Sequence, residues 1–195
     1  MNNRLCMIKC LKTNSNGFTL IELIVVIAVF SILSIVVMPR IINYLSSARD
    51  NFLILSTIVT KSFDDAFINN RTNFIVFHCQ SKENEISEIS NPLFERTNGI
   101  SVAILNENSE FIDNPNKLLK NREFPDSFAI KEILLPDGSS YTSGNVMIPV
   151  YSSGSTSGAI VHIITSNEEE WSLIINPYIK VPKVVKGYTT YEDIK

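Results

Sequence analysis

Residues 18–38, FTLIELIVVIAVFSILSIVVM, constrain this chain more than any other stretch: 21 residues carry a single charge, Glu22. As a helix rising about 1.5 Å per residue the run spans roughly 31 Å, which matches a hydrocarbon core of about 30 Å. A transmembrane helix over 18–38 is therefore expected. Arg4, Lys9 and Lys12 precede Gly17 and no acidic residue does. That asymmetry keeps a short N-terminus in the cytoplasm and exports the rest of the chain. An ordinary secretory signal would be shorter and would end at a small-residue cleavage site. Here the run ends in VVMPRIINY, so the helix is expected to be retained.

The chain has 195 residues, 45% of them apolar, enough for one globular domain with a modest core beside one membrane segment. Its net charge is −3. Without the first 17 residues it holds 14 basic and 20 acidic side chains, a net charge of −6, which disfavours a generally basic nucleic-acid binder.

Glu22 needs a physical account. A carboxylate in an apolar helix costs up to about 3 kcal/mol near the bilayer centre and less near its edge, so it normally has a partner. At the interface it could snorkel into headgroups. The run itself offers no cation, so otherwise the partner comes from another chain or from a newly made amine. A cut after Gly17 makes such an amine on Phe18, one helical turn from Glu22.

At these residues the chain resembles a known family. GFTLIELIVVIAVFSIL is similar to the class III signal of type IV prepilins and type II secretion pseudopilins: a glycine, then F-T-L-I-E, then an apolar helix. The resemblance implies cleavage between Gly17 and Phe18 by a prepilin peptidase, with 1–17 as the leader. It also implies N-methylation of Phe18, and pairing of Glu22 with the N-terminal amine of a neighbouring subunit. The leader is long for the pattern, and its nearest basic residue to Gly17 is Lys12.

Pro39 lacks a backbone donor and disfavours helical geometry at Met38, so a kink or local melting is expected there. Pilins resemble this too, and the family likeness assigns Pro39 a part in assembly. Beyond it Ile41, Leu45, Ala48, Phe52, Leu55, Val59, Ser62 and Ala66 recur at alternating steps of four and three. That is a core-facing stripe more readily than a free coiled coil. One long helix over about 20–70 is expected, membrane in its first half and, as residues 39–70, amphipathic in its second.

Seven alternating or apolar runs rich in β-branched residues then read as strands: 73–79, 99–105, 128–135, 145–151, 158–165, 170–176 and 178–185. Pro182 places the last at a sheet edge. Gly/Ser clusters mark turns, and residues 80–98 read as a polar loop. The fold class is α+β: a long N-terminal helix packed on a small antiparallel β-sheet domain, with 71–195 as the β-rich head. VYSSGSTSGAIVHIITSNEEEWSLIINPYIKV is similar to a stretch of H-type minor pseudopilins and FimT-like or FimU-like minor pilins, with residues 80–125 the least matched.

No catalytic constellation emerges. His78 and His162 lie in separate strands without metal-ligand spacing and read as structural residues. Cys6 and Cys10 fall in the leader, so Cys79 alone remains, and neighbouring strand positions point Cys79 and His78 to opposite faces. Glu168, Glu169 and Glu170 read as a solvated hairpin tip rather than a calcium loop. No metal and no cofactor are expected. Lys180, Lys183 and Lys186, beside Tyr178 and Tyr188, could form a strip for DNA phosphates and bases. The plainer reading is an edge strand guarded by lysines.

The resemblance implies a minor pseudopilin-like subunit of a type II secretion pseudopilus, helping to initiate or cap a filament that drives protein export. The alternative is a minor pilin of a type IV pilus acting in pilus assembly or DNA uptake. Expected partners are other pilin or pseudopilin subunits through the N-terminal helix, the prepilin peptidase, and an assembly platform in the bacterial inner membrane. The head would lie outside the cytoplasm. A lone membrane-tethered receptor domain would keep the helix but need neither cleavage nor Glu22.

Overall fold

The computed structural model describes residues 19–79, 91–166 and 168–194, with the backbone alone over 34–47. The chain divides between Tyr44 and Leu45 into two units. A helix, α1 (Leu20–Ile68), is continuous through 49 residues. The local melting expected at Pro39 does not occur: proline removes one hydrogen bond, at about 3 kcal/mol, and the turns on either side remain helical. Helix α1 ends at a left-handed Asn70, φ 47°. There Arg71 N–H donates to the Ala66 carbonyl at 3.1 Å, which satisfies one of the last free carbonyls.

Ten strands follow among the described residues. They are β1 (Asn73–His78), β2 (Gly99–Leu105), β3 (Phe111–Asp113), β4 (Arg122–Glu123), β5 (Phe128–Leu134), β6 (Ser140–Tyr141), β7 (Asn145–Val150), β8 (Ala159–Thr165), β9 (Glu170–Asn176) and β10 (Ile179–Lys186), with a 3-10 turn at Lys117–Leu119. The first sheet runs β3-β2-β1-β7, with β4 also pairing β2; the second runs β10-β9-β8-β5-β6. Every pairing is antiparallel. All seven expected strands are present within a residue or two of their bounds. β3, β4 and β6 are additional to them, and the β-rich stretch forms two sheets. Of the polar loop, 91–98 is irregular chain and 80–90 lies outside the described residues.

One core joins α1 to both sheets. The expected helix stripe is buried from Phe52 through Leu55, Val59, Ser62 and Ala66, and packs with Ile75, Phe77, Val102 and Ile148 of the first sheet and Ile130, Val161, Ile163 and Leu173 of the second. Each fully buried Leu, Ile or Phe side chain contributes about 2 kcal/mol by removal from water. Phe52 sits edge-on to Phe128 at 4.8 Å and tilted against Trp171 at 5.4 Å. Gly99 is needed where β2 meets β4, since a Cβ there would lie 2.5 Å from the Arg122 carbonyl oxygen.

Part of each outward sheet face is covered. On the first sheet, Val76 and Ala103 lie under Leu93, with Phe74, Phe94, Phe111 and Met147 beside them. On the second, the segment after β10 crosses back. Tyr188 stacks on His162 at 4.0 Å, Thr189 N–H donates to Ser172 Oγ at 3.0 Å, and Tyr191 Oη–H donates to the Leu134 carbonyl at 3.3 Å.

Candidate functional site

The processing residues Gly17 and Phe18 lie outside the described residues; the site is visible from Thr19 onward. Thr19 and Glu22 form a reciprocal capping box. Thr19 N–H and Thr19 Oγ1–H both donate to Glu22 Oε2 at 2.9 Å, and Glu22 N–H donates back to Thr19 Oγ1 at 3.3 Å. The spacing T-L-I-E is the S/T-x-x-E signature that satisfies two free amides at a helix start. The carboxylate also sits where the helix dipole favours negative charge. Glu22 therefore has an internal partner in the isolated chain, a role for Thr19 that the charge argument alone missed.

Above the box, every described side chain from Thr19 to Leu33 is exposed. Leu20 is 77% and Ile32 65% accessible, although both are large and apolar. The Ser31 hydroxyl is internally satisfied, donating to the Ile27 carbonyl at 2.8 Å. A helix apolar around its circumference is matched by lipid or by other helices, not by water. Among the described residues, no helix is long and apolar enough to cross a membrane; side chains are described for only 19–33 of the expected 18–38 span.

At its far end α1 is fastened to the head by Asp65, which is 5% exposed. Its Oδ1 accepts from Asn69 Nδ2 at 3.1 Å and Asn116 Nδ2 at 2.9 Å. Its Oδ2 accepts from Arg71 Nη2 at 2.9 Å and from Asn73 and Asn114 Nδ2, each at 3.0 Å. Burial alone would raise the carboxyl's pKa, but the donors from Asn116, Asn114, Asn73 and Arg71 outweigh it and hold the group well below the usual carboxylate range. One side chain thus ties the helix end to β1 and to the loop after β3.

The lysine strip is largely engaged. Lys180 pairs with Asp64 at 3.0 Å, and Lys186 pairs with Glu169 at 2.7 Å while lying 5.7 Å from the Trp171 ring centroid. Lys183 is exposed. β10 is an edge strand whose register shifts between Ile179 and Lys183, around Pro182. Proline, irregular pairing and lysines are devices that keep an edge from adding strands. Glu169 and Glu170 are held by Lys186 and Lys131. His78 and His162 are buried on different sheets, and burial lowers the pKa of each. Cys79 is also buried, which pushes its thiol up to about 11, away from nucleophilic use.

The described chain is thus an α+β protein in which a capped apolar helix leads into antiparallel sheets. The family model described as the prokaryotic N-terminal methylation motif matches residues 12–38, which include Gly17, Phe18 and Glu22. Among solved structures the chain is similar to the minor pseudopilin EpsH from the type 2 secretion system of Vibrio cholerae, with 10% identity and a TM-score of 0.46 over 72% of this chain and 96% of that one. No curated protein matches the chain.

Proposed function

We propose that this chain is a minor pseudopilin-like subunit of a type II secretion pseudopilus, helping to initiate or cap the filament. The observation that carries the reading is the N-terminal methylation motif over residues 12–38, coinciding with a helix that starts at Leu20 and carries Glu22 in its first turn. Hydrolysis of the Gly17–Phe18 peptide bond leaves an amine on Phe18, which then accepts a methyl group. The Thr19 amide survives this cut, so the capping box persists in the mature chain. On assembly Glu22 turns from Thr19 to the Phe18 amine of a neighbour, setting axial register. The apolar helix leaves lipid for a bundle of like helices, and the head faces outward from the inner membrane. Residues 150–181 resemble H-type minor pseudopilins and equally FimT-like or FimU-like minor pilins, so a minor pilin of a type IV pilus is the alternative reading. The pairing of Lys180 and Lys186 argues against a DNA-uptake role.

Intact mass and N-terminal sequencing of membrane-extracted protein, made with and without the cognate prepilin peptidase, test the class. An N-methyl-Phe18 terminus seen only with the peptidase is expected. A Met1 terminus in both samples, or a terminus beyond Met38, overturns it.

A further inference from the structure

The segment after β10 covers His162 and Ser172 and leaves beside them a groove of about 500 Å³. Ligand clefts commonly enclose about 300–1,000 Å³. The groove is built on one face of β10. Val184 packs against the shared core, so the alternate positions Ile179, Val181, Lys183 and Val185 line the groove, beside Ile174 of β9. Ile179 is 57% and Val181 58% exposed, although both are large and apolar. The segment after β10 contributes Thr189, Asp193 and Ile194.

Lys183 stands inside this row, with an apolar side chain two positions away on either side. Lys180 and Lys186 hold carboxylates, whereas Lys183 has no ion-pair or hydrogen-bonding partner among the described residues. Asp193 lines the same groove but is already engaged: its Oδ2 accepts from Thr190 N–H and Oγ1–H, each at 2.8 Å. The unmatched charge of the groove is therefore positive, and its complement is an anion set between apolar groups. Asn176 Oδ1 accepts from Tyr178 N–H at 3.0 Å, which leaves the Asn176 amide hydrogens for a carbonyl. A peptide brings carbonyls to such donors, and a hydrocarbon tail does not.

We infer that this groove docks an extended segment of a partner protein with the pattern apolar-x-acidic-x-apolar. Side chains of an extended chain alternate between faces, so three residues two positions apart repeat the spacing of Val181, Lys183 and Val185. The central carboxylate meets Lys183, and its apolar neighbours cover Val181 and Val185. Apolar side chains on both sides of Lys183 call for an internal Asp or Glu rather than a chain terminus. The segment lies on the face of β10, so Pro182 and the irregular pairing that guard the strand's edge do not oppose it. The groove belongs wholly to the unit from Leu45 to Lys195, and its use does not depend on processing at Gly17.

The probe is the blocked peptide acetyl-Val-Thr-Glu-Thr-Val-amide, titrated into isotopically labelled full chain in zwitterionic micelles and followed by amide NMR shifts. Saturable shifts are expected at Ile174, Lys183 and Val185. Lys183→Met, or Gln in place of the peptide's Glu, should each raise Kd about fivefold, the scale of one partly exposed ion pair. Substituting Lys120→Met, at an exposed position outside the groove, should leave Kd unchanged. Hexanoate, the same carboxylate on a hydrocarbon chain, should bind these amides more weakly than the peptide. Absence of saturable shifts, shifts confined to residues outside the groove, equal affinity for the Gln peptide, unchanged Kd in Lys183→Met, or tighter binding of hexanoate each overturns the assignment.

Discussion

Replacing Asp65 by alanine tests what fastens α1 to the head. The substitution removes an acceptor that takes five hydrogen bonds, one from the Arg71 guanidinium, and leaves Asn73 and Asn114 amides buried without it. Breaking a buried charged pair from one side costs about 3–5 kcal/mol. A domain of this size is stable by about 5–15 kcal/mol in total. With a urea m-value of about 2 kcal/mol/M, the midpoint should fall by about 2 M. Residues 45–195 contain the whole shared core, so equilibrium unfolding of that fragment followed by tryptophan fluorescence is the assay. The sign with pH is set by the depressed folded-state pKa. The stabilisation is fully present above the unfolded value of about 3.9 and is lost as pH falls toward the folded one. Wild type and Asp65→Ala should therefore converge in acid. A loss below about 1 kcal/mol at pH 7, or a gap that widens at pH 3, would refute the account.

Three further outcomes are expected. Thr19→Ala should loosen the first turn of α1 by about 1 kcal/mol, read as faster amide exchange at Leu20–Glu22 in micelles, whereas Glu22→Ala should insert normally yet fail to enter filaments; normal incorporation contradicts the charge-pairing role. In the 45–195 fragment, Cys79 should react with iodoacetamide at pH 8 far more slowly when native than in urea, because burial raises its thiol to about 11; equal rates measured by mass would contradict that burial. The same fragment should give no DNA gel shift even at low salt, since Lys180 and Lys186 are committed to carboxylates; a salt-sensitive shift would restore the strip as a binding surface.

The long helix and the seven longer strands were legible because each runs far enough to display its period. The stripe from Phe52 to Ala66 was visible at three- and four-residue steps, and the same residues are buried. β3, β4 and β6 span only two or three residues. They exist by pairing with β2 and β5, and so carry no pattern of their own. The division into two sheets depends on partners far apart, such as Phe74 opposite Pro149. At the site, Gly17, Phe18 and Glu22 stood out as a motif, whereas the cap at Thr19 was missed despite its standard spacing. The ring around Asp65 had no local signal: Asn114 and Asn116 lie 49 and 51 residues away.

The shared core also sets an order of events in time. Leu55 and Val59 are made early, yet they pack with Val161 and Leu173, more than a hundred residues later. During synthesis the apolar stripe of α1 therefore waits uncovered until β8 and β9 are made, and contacts this distant in sequence close slowly. A chain interrupted before β9 would not be a shortened head but an unfolded one, with its helix stripe open to aggregation. The closing strands thus act as a completeness check, since only a fully synthesised chain can present a folded head.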